Sequence, residues 1–443
     1  MFTTCVHSMR LILTSAVVVG LNLCPFWGPA KVHSQQSTQS SASEPTIAPD
    51  NQGNLKRTPF SLDDFPGLEE ECLSAVENEE LAKAIVARLQ TRYESVDQPE
   101  AIKMLISILS GSMMGSGEGW FGEAKQMYTW EWLASKHNIQ VDETLSKDDF
   151  QGEASFFERL DRNGDGNLGV TDFDWSSKSA YMKEQSTANW IFRKIDDDHD
   201  GKVSRNELLA FYSKSKGDDA DLSIDEFRRA LELGKPGGGF MSGDAPTPER
   251  LLKGFFSSEV GSLQEGPAIG DLAPDFELTT QDGKEVIHLQ DWIGKKPIVL
   301  IFGNFTCGPF RRTYPDFDEI SLRYKDKANF FGVYVREAHP TDGWKMESNS
   351  SSGVRLKQPK TIEQRIEVAK RCATTLKYSM PLLVDTMDDR VGNLYSGMPA
   401  RAYVIGTDGK VTYQSGRGPF GFRPPEMEQA LLLLLLAEEA KTK

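Results

Sequence analysis

The chain has 443 residues, 39% of them hydrophobic and 10% aromatic, which is more than one ordinary core needs and predicts about two or three domains. Its formal net charge of −15 excludes a general nucleic-acid binder, because phosphate backbones are bound by surfaces rich in Lys and Arg. Much of the acid lies in residues 161–226, in spacings that suit a divalent cation.

The first residues are typical of a targeting segment. Arg10 precedes an apolar run over residues 11–23, which is too short to span a bilayer. We predict that residues 1–34 are a signal peptide cleaved after Ser34, that the protein is exported to the periplasm or secreted, and that the mature chain has no membrane span. An uncleaved N-terminal anchor is the alternative. Residues 35–64 are polar and low in complexity, which predicts a disordered spacer.

Three cysteines remain after such processing: Cys72, Cys307 and Cys372. An exported chain with so few cysteines is not a disulfide scaffold, and an odd number leaves at least one free thiol. Cys72 follows three glutamates, which predicts a raised thiol pKa and low reactivity.

Residues 65–149 show apolar residues at helical spacing and predict a helical region, for which the sequence indicates no chemistry. Residues 150–233 alternate short helical stretches with acidic loops. Residues 234–266 begin with a segment rich in Gly and Pro and predict a linker.

The first acidic loop, residues 161–172, has oxygen-bearing side chains at positions 1, 3 and 5 and Gly166 at position 6. This spacing suits Ca²⁺, which takes six to eight hard oxygen ligands on a tightly turned loop. The predicted ligands are Asp161, Asn163, Asp165, Asn167 and Asp172. Because position 12 usually carries a bidentate Glu, the shorter Asp172 predicts weaker calcium binding or a shift toward Mg²⁺.

The second loop, residues 196–207, carries the long carboxylate at position 12. Its predicted ligands are Asp196, Asp198, Asp200, Lys202 through its carbonyl, and Glu207. Both loops resemble EF-hands, so residues 150–233 are predicted to form an EF-hand pair. A third segment, residues 215–226, has Ala220 in place of glycine and is interpreted as a degenerate hand.

From residue 267 to 437, strand-like and helical stretches alternate, which predicts an α/β sheet covered by helices. The predicted strands are 298–302, 330–335, 382–384, 402–405 and 411–414, and the predicted helices lie near 312–325, 361–377 and 425–438.

Cys307 lies where one of these strands passes into a helix. The partial positive charge of a helix N-terminus stabilises a thiolate, and Arg311 and Arg312 add positive charge. The sequence therefore predicts that Cys307 is a reactive thiol. His339 beside Glu337 predicts a proton-transfer pair that titrates near neutral pH. Cys372 is expected in a helix, as a packing residue or alternatively as a resolving thiol.

Two motifs carry a resemblance to known families. Cys307-Gly-Pro-Phe looks like the thioredoxin motif with its second cysteine replaced, and residues 337–344, Glu-Ala-His-Pro-Thr-Asp-Gly-Trp, resemble the signature of the iodothyronine deiodinases. The overall interpretation is a multidomain protein: an α-helical EF-hand region followed by an α/β thioredoxin-like domain.

This resemblance implies that Cys307 stands in the place of selenocysteine and acts as the nucleophile in reductive dehalogenation or a related thiol-dependent reduction. It also implies a small halogenated or oxidised substrate, an external thiol reductant and a homodimer. The further site residues that it implies are Thr306, Glu337 and His339 for catalysis, and Tyr334, Arg401 and the cis-proline Pro399 on the substrate side.

The sequence departs from the family where Phe305 replaces an auxiliary cysteine and where Pro359 replaces a second histidine. Two alternatives remain open. One is a one-cysteine peroxidase, although the Pro-x-x-x-Thr-x-x-Cys pattern is missing. The other is a non-catalytic, calcium-dependent binding or assembly protein.

Overall fold

The computed structural model describes residues 60–94, 97–112, 115–197, 203–215, 221–231 and 244–441, all within the chain unit Asp50–Lys443. The predicted signal peptide and most of the predicted spacer lie outside these ranges. Among the described helices, none combines the length and the apolar character that crossing a bilayer requires.

Four helices, three of them from the N-terminal part of the chain, form a small bundle with its own apolar core. The first three, in chain order, are α1 (Leu68–Ser74), α2 (Glu79–Arg92) and α3 (Glu100–Leu109). The fourth comes from much later in the chain and lies at Pro248–Phe256. Ile102, Leu105 and Trp120 are buried in this core together with Phe255 of the fourth helix. The first half of the region predicted to be helical, residues 65–149, contains α1, α2 and α3.

The fourth bundle helix shows that the predicted linker 234–266 is wrong over part of its length. Residues 232–243 lie outside the described residues, but Thr247 caps a helix at Pro248 by accepting a hydrogen bond from Arg250 N at 3.2 Å. Thr-Pro is a helix-start signal, because proline is tolerated in the first turn and threonine oxygen accepts an otherwise unpaired N–H.

The described part of residues 125–230 contains six further helices. They are α4 (Trp130–Lys136), α5 (Ala154–Leu160), α6 (Val170–Phe173), α7 (Ala180–Ile195), α8 (Arg205–Ser215) and α9 (Ile224–Ala230), after which the bundle helix Pro248–Phe256 is α10. Three short strands lie in the same stretch: β1 (Lys125–Gln126), β2 (Leu145–Ser146) and β3 (Asn167–Leu168).

The C-terminal domain is built on one large mixed sheet. Its own strands are β4 (Glu277–Thr280), β5 (Val286–His288), β6 (Ile298–Gly303), β7 (Asn329–Tyr334), β8 (Leu382–Val384), β9 (Arg401–Ile405) and β10 (Val411–Gln414). Its helices are α11 (Gly308–Tyr324), α12 (Glu347–Ser351), α13 (Ile362–Thr375), α14 (Arg390–Leu394) and α15 (Pro424–Lys441). All five predicted strands and three predicted helices are confirmed.

The strand order is β1-β10-β9-β6-β7-β8-β4-β5. At its centre β6 is parallel to β7 and antiparallel to β9, and β10 is antiparallel to β9. This four-strand order, with α11 between β6 and β7, is the thioredoxin-like arrangement predicted from the sequence. Every residue of β6 is buried, as expected of a central strand covered on both faces.

One edge of this sheet comes from the region predicted to be only helical. Lys125 and Gln126 of β1 pair with Gln414 and Tyr413 of β10. Residues 65–149 are therefore partly built into the C-terminal domain. A second small sheet joins β2 to β3, in which Leu145 pairs with Leu168.

Candidate active site and metal loops

Cys307 lies at the strand-to-helix junction that the sequence predicts. It follows β6 by four residues and is the N-cap residue of α11. Its N–H donates to Asn304 Oδ1 at 3.0 Å, and the backbone N–H of Phe310 in the first turn of α11 acts to lower the pKa of the thiol. The thiol therefore faces the first turn of a helix, the position that stabilises a sulfur anion.

The expected low pKa of this thiol is nevertheless wrong for this conformation. Only 2% of Cys307 is exposed, and burial raises the pKa of the thiol. The Phe310 N–H and the charges of Arg311 and Arg312 act in the opposite direction without reversing the shift. Loss of water outweighs the helix terminus here, because a buried thiolate loses its hydration.

Glu337 lies beside the cysteine loop. One of its carboxylate oxygens accepts a hydrogen bond from Thr306 N at 2.9 Å, and the other accepts one from the Tyr334 hydroxyl. Its own N–H donates to Gln358 Oε1 at 3.0 Å. Burial raises the pKa of Glu337, which favours the protonated acid and suits a proton donor.

His339 is joined to the same loop through its backbone, whose N–H donates to Thr306 Oγ1 at 3.0 Å. Its ring lies edge-on to Trp344, and Nδ1 lies 3.2 Å from the Trp344 carbonyl oxygen. A carbonyl only accepts, so Nδ1 carries the proton and Nε2 is the acceptor. Burial lowers the pKa of His339 to about 4. The prediction that it titrates near neutral pH is therefore wrong, and the imidazole is neutral at pH 7.

Asn304 holds this constellation together, and sequence reasoning missed it. Its Oδ1 accepts hydrogen bonds from the Thr306 hydroxyl at 3.1 Å, from Cys307 N at 3.0 Å and from Ala338 N at 3.1 Å. Its Nδ2 donates to the Pro399 carbonyl oxygen at 3.1 Å. A fully buried amide thus ties three separate segments together. The available signal was a polar residue directly after a fully apolar strand.

The Met398–Pro399 peptide bond is cis, as the sequence predicts, and Pro399 lies beside the cysteine loop through Asn304. Tyr334 is buried in the core; its hydroxyl donates to Glu337 and accepts from Phe305 N at 3.2 Å. In this conformation Tyr334 supports the carboxylate and does not line an open pocket.

Arg401, which the resemblance assigns to the substrate side, is buried and held by other parts of the chain in this conformation. Its guanidinium is 2% exposed and donates to the carbonyl oxygens of Ser415 at 3.0 Å and Glu265 at 2.9 Å. It also forms an ion pair with Glu100 of α3 at 3.1 Å. The second oxygen of Glu100 pairs with Arg417 at 2.7 Å. The helical bundle thus occupies this arginine.

Neither Cys72 nor Cys372, the other cysteines of the described ranges, is bonded to Cys307. All three cysteines of the described ranges are unpaired and buried. Burial and the neighbouring Glu71 raise the pKa of Cys72 to about 12, as predicted. Cys372 lies in α13, where burial raises its pKa well above the usual value, and this agrees with a packing role.

A cleft of about 320 Å³ borders the segment that carries Glu337 and His339. Its lining residues are Ser257, Glu259, Arg336, Glu337, Pro340, Asp342, Gly343 and Gln358. Charges of both signs face this space, so it suits a polar small molecule. Cys307 lies behind Glu337 and not on the cleft wall.

The first acidic loop has the geometry of an EF-hand. Asp161 accepts hydrogen bonds from Gly164 N at 2.8 Å and Gly166 N at 2.9 Å, and Gly166 has φ +83°, which favours glycine. Asp172 at position 12 accepts from Arg162 N at 3.0 Å and Gly169 N at 2.9 Å. No three Asp, Glu, His or Cys side chains within the described ranges form a ready metal cluster.

The second loop repeats the contacts of position 12. Glu207 accepts from Asp197 N at 2.9 Å and from Ser204 N at 2.8 Å, which are positions 2 and 9 of its loop. The predicted ligands Asp198, Asp200 and Lys202 lie outside the described residues. The oxygen-rich side chains and the turn at Gly166 fit a hard divalent cation.

These features define a protein with a thioredoxin-like domain, one cysteine at the redox position and EF-hand loops upstream. The profile of the iodothyronine deiodinase family matches residues 249–433, and that of the EF-hand domain pair matches residues 153–213. Thyroxine 5-deiodinase of Gallus gallus is 34% identical over 177 residues, which cover 40% of this chain and 67% of the relative. The chain therefore belongs to the iodothyronine deiodinase family.

Type I iodothyronine deiodinase of Xenopus laevis is 30% identical over 166 residues, covering 37% of this chain and 63% of that protein. The chain spans between 50% and 67% of the length of such relatives. Among solved structures, a thiol:disulfide interchange protein of the thioredoxin family from Chlorobium tepidum is similar with a TM-score of 0.27 and 19% identity, covering 38% of this chain and 99% of that chain.

Proposed function

We propose that the C-terminal domain is a thiol-dependent oxidoreductase of the deiodinase type, with Cys307 as its nucleophile. The observation that carries the proposal is the hydrogen-bonded group around Asn304 and Thr306, which joins the cysteine loop to Glu337 and to the backbone of His339. A nucleophile next to groups that can move protons is the arrangement that such chemistry needs.

In the proposed reaction the Cys307 thiolate attacks the halogen of a carbon–halogen bond. A sulfur–halogen bond forms, the carbon–halogen bond breaks, and its electron pair remains on carbon, which takes up a proton. The substrate is reduced by two electrons and the cysteine becomes a sulfenyl halide. One external thiol displaces halide to give a mixed disulfide, and a second thiol releases Cys307 and leaves as the disulfide.

The protein's own groups suit the proton steps. Glu337 favours its protonated form because it is buried, and we assign it the delivery of the proton to carbon. The neutral His339, with its acceptor nitrogen Nε2, is assigned the thiol proton. Since Cys307 is buried, we infer that the segment around Pro340 and Gly343, which borders the cleft, moves to admit substrate.

The calcium loops form the second part of the proposal. Residues Asp161, Asn163, Asp165, Asn167 and Asp172 would hold Ca²⁺, or Mg²⁺, in the first loop, and Asp196 and Glu207 belong to the second site. A bound cation supplies a fixed positive charge that orders its loop.

The relatives are deiodinases of iodothyronines by name. Because Phe305 and Pro359 of this chain differ from the family pattern, we propose halogenated phenols as a broader substrate class.

The direct test is a substrate panel with purified protein and a dithiol, with and without calcium, comparing an iodinated phenol, a peroxide and a disulfide. We expect iodide release matched by dithiol oxidation, its loss in Cys307→Ser, and its retention in the matched control Cys372→Ser. Peroxide consumption without iodide release would favour the one-cysteine peroxidase. Failure of the wild type to turn over any of the three would contradict the proposal.

A non-catalytic, calcium-dependent binding protein is the second candidate, and the burial of Cys307 with its raised pKa favours it. The rate of Cys307 alkylation against pH separates the two. Under the enzymatic proposal, a substrate analogue opens the site and accelerates alkylation. A thiol that remains unreactive under every condition supports the binding protein.

A further inference from the structure

The first calcium loop has a partner that its ligand pattern does not reveal. Residues 138–149 follow α4 and have the length of an EF-hand loop, and Leu145 stands at their eighth position. Leu145 pairs across β2 and β3 with Leu168, the eighth residue of loop 161–172. Both leucines are buried. Two hand-like loops are thus joined at equivalent positions.

The partner loop 138–149 has oxygen-bearing side chains at positions 1, 3, 5, 9 and 12 but departs from a calcium loop at position 6. Glu143 occupies its sixth position, where a calcium loop has glycine, and accepts a hydrogen bond from Gln140 N at 2.7 Å. Its ninth and twelfth residues, Ser146 and Asp149, are bonded to one another at 2.6 Å. Because the glycine of the sharp turn is missing, we interpret this loop as a support for loop 161–172 and not as a calcium site. Among the residues that the structure describes, β3 of loop 161–172 pairs with β2 alone.

A second set of contacts attaches this hand to the thioredoxin-like domain through α15. Gln429, which is 2% exposed, accepts a hydrogen bond from Trp175 Nε1 at 2.7 Å. Its Nε2 donates to the carbonyl oxygen of Asp172 at 2.8 Å. Asp172 is position 12 of the calcium loop. One buried amide thus links the last ligand residue to the final helix of the other domain.

Helix α5, which precedes loop 161–172, is bonded to α15 at Glu428, the residue next to Gln429. Arg159 of α5 donates to both carboxylate oxygens of Glu428, at 3.0 and 2.5 Å. Glu428 also accepts from Arg323 at 2.6 Å and from the Tyr324 hydroxyl at 2.9 Å. Arg323 and Tyr324 end α11, the helix that begins at Cys307. The contacts therefore continue from the hand to the helix of the thiol.

The second predicted calcium loop has different surroundings. Its exit helix α8 contains no fully buried residue, and Leu208 and Leu209 are each 51% exposed. Phe211 of α8 contacts Phe227 of α9. The entry helix of the second hand, α7, contacts the first hand, where the Tyr181 ring packs against Trp175 and the Arg162 guanidinium, so the second loop is connected to α15 through the first hand.

We propose that loop 161–172 is a structural metal site of the thioredoxin-like domain, whose occupation by Ca²⁺ stabilises α15 directly through Gln429 and Glu428, whereas loop 196–207 is coupled to α15 only indirectly. The proposal rests on calcium binding by the first loop. Ligand binding to the folded state suppresses the openings that break the site. At a calcium concentration about a hundredfold above Kd, exchange of α15 amides through those openings slows by between about tenfold and a hundredfold.

Amide hydrogen exchange of the full chain, followed in peptides from 424–441 by mass spectrometry, tests the coupling with 1 mM calcium against a chelator. Asp161→Asn disables the first loop, and Asp196→Asn is the matched change in the second. We expect the calcium-dependent protection of α15 to be lost in Asp161→Asn and retained in Asp196→Asn. Gln429→Ala, which keeps every loop ligand, should bind calcium with reduced protection of α15.

Calorimetric titration of the same variants with calcium separates the two possible failures. Calcium that binds to loop 161–172 without changing exchange in α15 overturns the coupling and leaves calcium binding intact. No heat attributable to that loop overturns both. An equal loss of protection in Asp161→Asn and Asp196→Asn contradicts the assignment to the first hand. If a variant fails to fold, the wild-type comparison still tests the coupling, because unchanged exchange of α15 with calcium bound would overturn it.

Discussion

Replacing Glu100 by Gln should destabilise the attachment of the helical bundle to the thioredoxin-like domain. Glu100 begins α3 and forms ion pairs with Arg401 and Arg417, whose guanidinium groups are buried. The substitution keeps the size of the side chain but removes the only charge on it. The positive charges of the two buried arginines are then no longer balanced by a carboxylate.

The size of the effect follows from the pKa of Glu100, which the two arginines lower from 4.5 to about 2 against the opposing effect of burial. This difference corresponds to about 3 kcal/mol in favour of the ionised carboxylate. Removing one member of a buried ion pair typically costs about 3–5 kcal/mol. The pKa of Glu100 is lower in the folded state than in the unfolded state. The stabilisation by its ion pairs is therefore complete above about pH 5 and is lost as the pH falls toward about 2.

Thermal unfolding followed by circular dichroism, with wild type and Glu100→Gln compared at several pH values, measures this contribution. We expect Tm to fall by roughly 5–10 °C at pH 7 and the difference to shrink as the pH falls from 5 to 3. The control is Glu79→Gln, at a side chain that is 81% exposed, which should change little. Equal Tm values at pH 7, or a difference that does not depend on pH, would refute the reasoning.

Three further substitutions test the group around the thiol. Asn304→Ala should lower the free energy of unfolding in urea by about 2–4 kcal/mol, because buried N–H groups lose their acceptor. It should also speed alkylation of Cys307. The isosteric Asn304→Asp should instead slow alkylation, because it places a negative charge beside the sulfur. Tyr334→Phe removes a hydrogen bond to Glu337, so the pKa of that carboxyl should rise further and the basic limb of the activity–pH profile should move to higher pH. Thr306→Val should cost about 1–3 kcal/mol, since a buried backbone donor loses its partner, and Thr306→Ser should recover most of it.

The secondary structure around the thiol could be predicted because its signals are local. The run Ile298–Phe302 is apolar throughout, as in a strand buried on both faces, and the proline after Cys307 suits a first helical turn. The order of ligands in loop 161–172 likewise depends only on spacing. Such patterns need no knowledge of distant residues.

What the sequence could not predict depends on contacts between distant residues. Arg401 pairs with Glu100, about 300 positions away, and nothing near either residue indicates this. The support given by loop 138–149 was missed because Glu143 stands where the glycine of a hand is expected. The predictions for the pKa values of Cys307 and His339 were wrong for a related reason. Burial is a property of the whole fold, and it outweighs the local charges that the sequence displays.

The central claim is that the Cys307 sulfur takes the halogen from the substrate. It is tested most directly by a single turnover of an iodinated phenol without reductant, followed by dimedone, which captures the sulfenic acid formed when the sulfenyl iodide is hydrolysed. Mass spectrometry of the peptide containing Cys307 should show about one modification for each iodide released, in wild type and in Cys372→Ser. Iodide released with Cys307 unmodified, and undiminished in Cys307→Ser, would contradict the account.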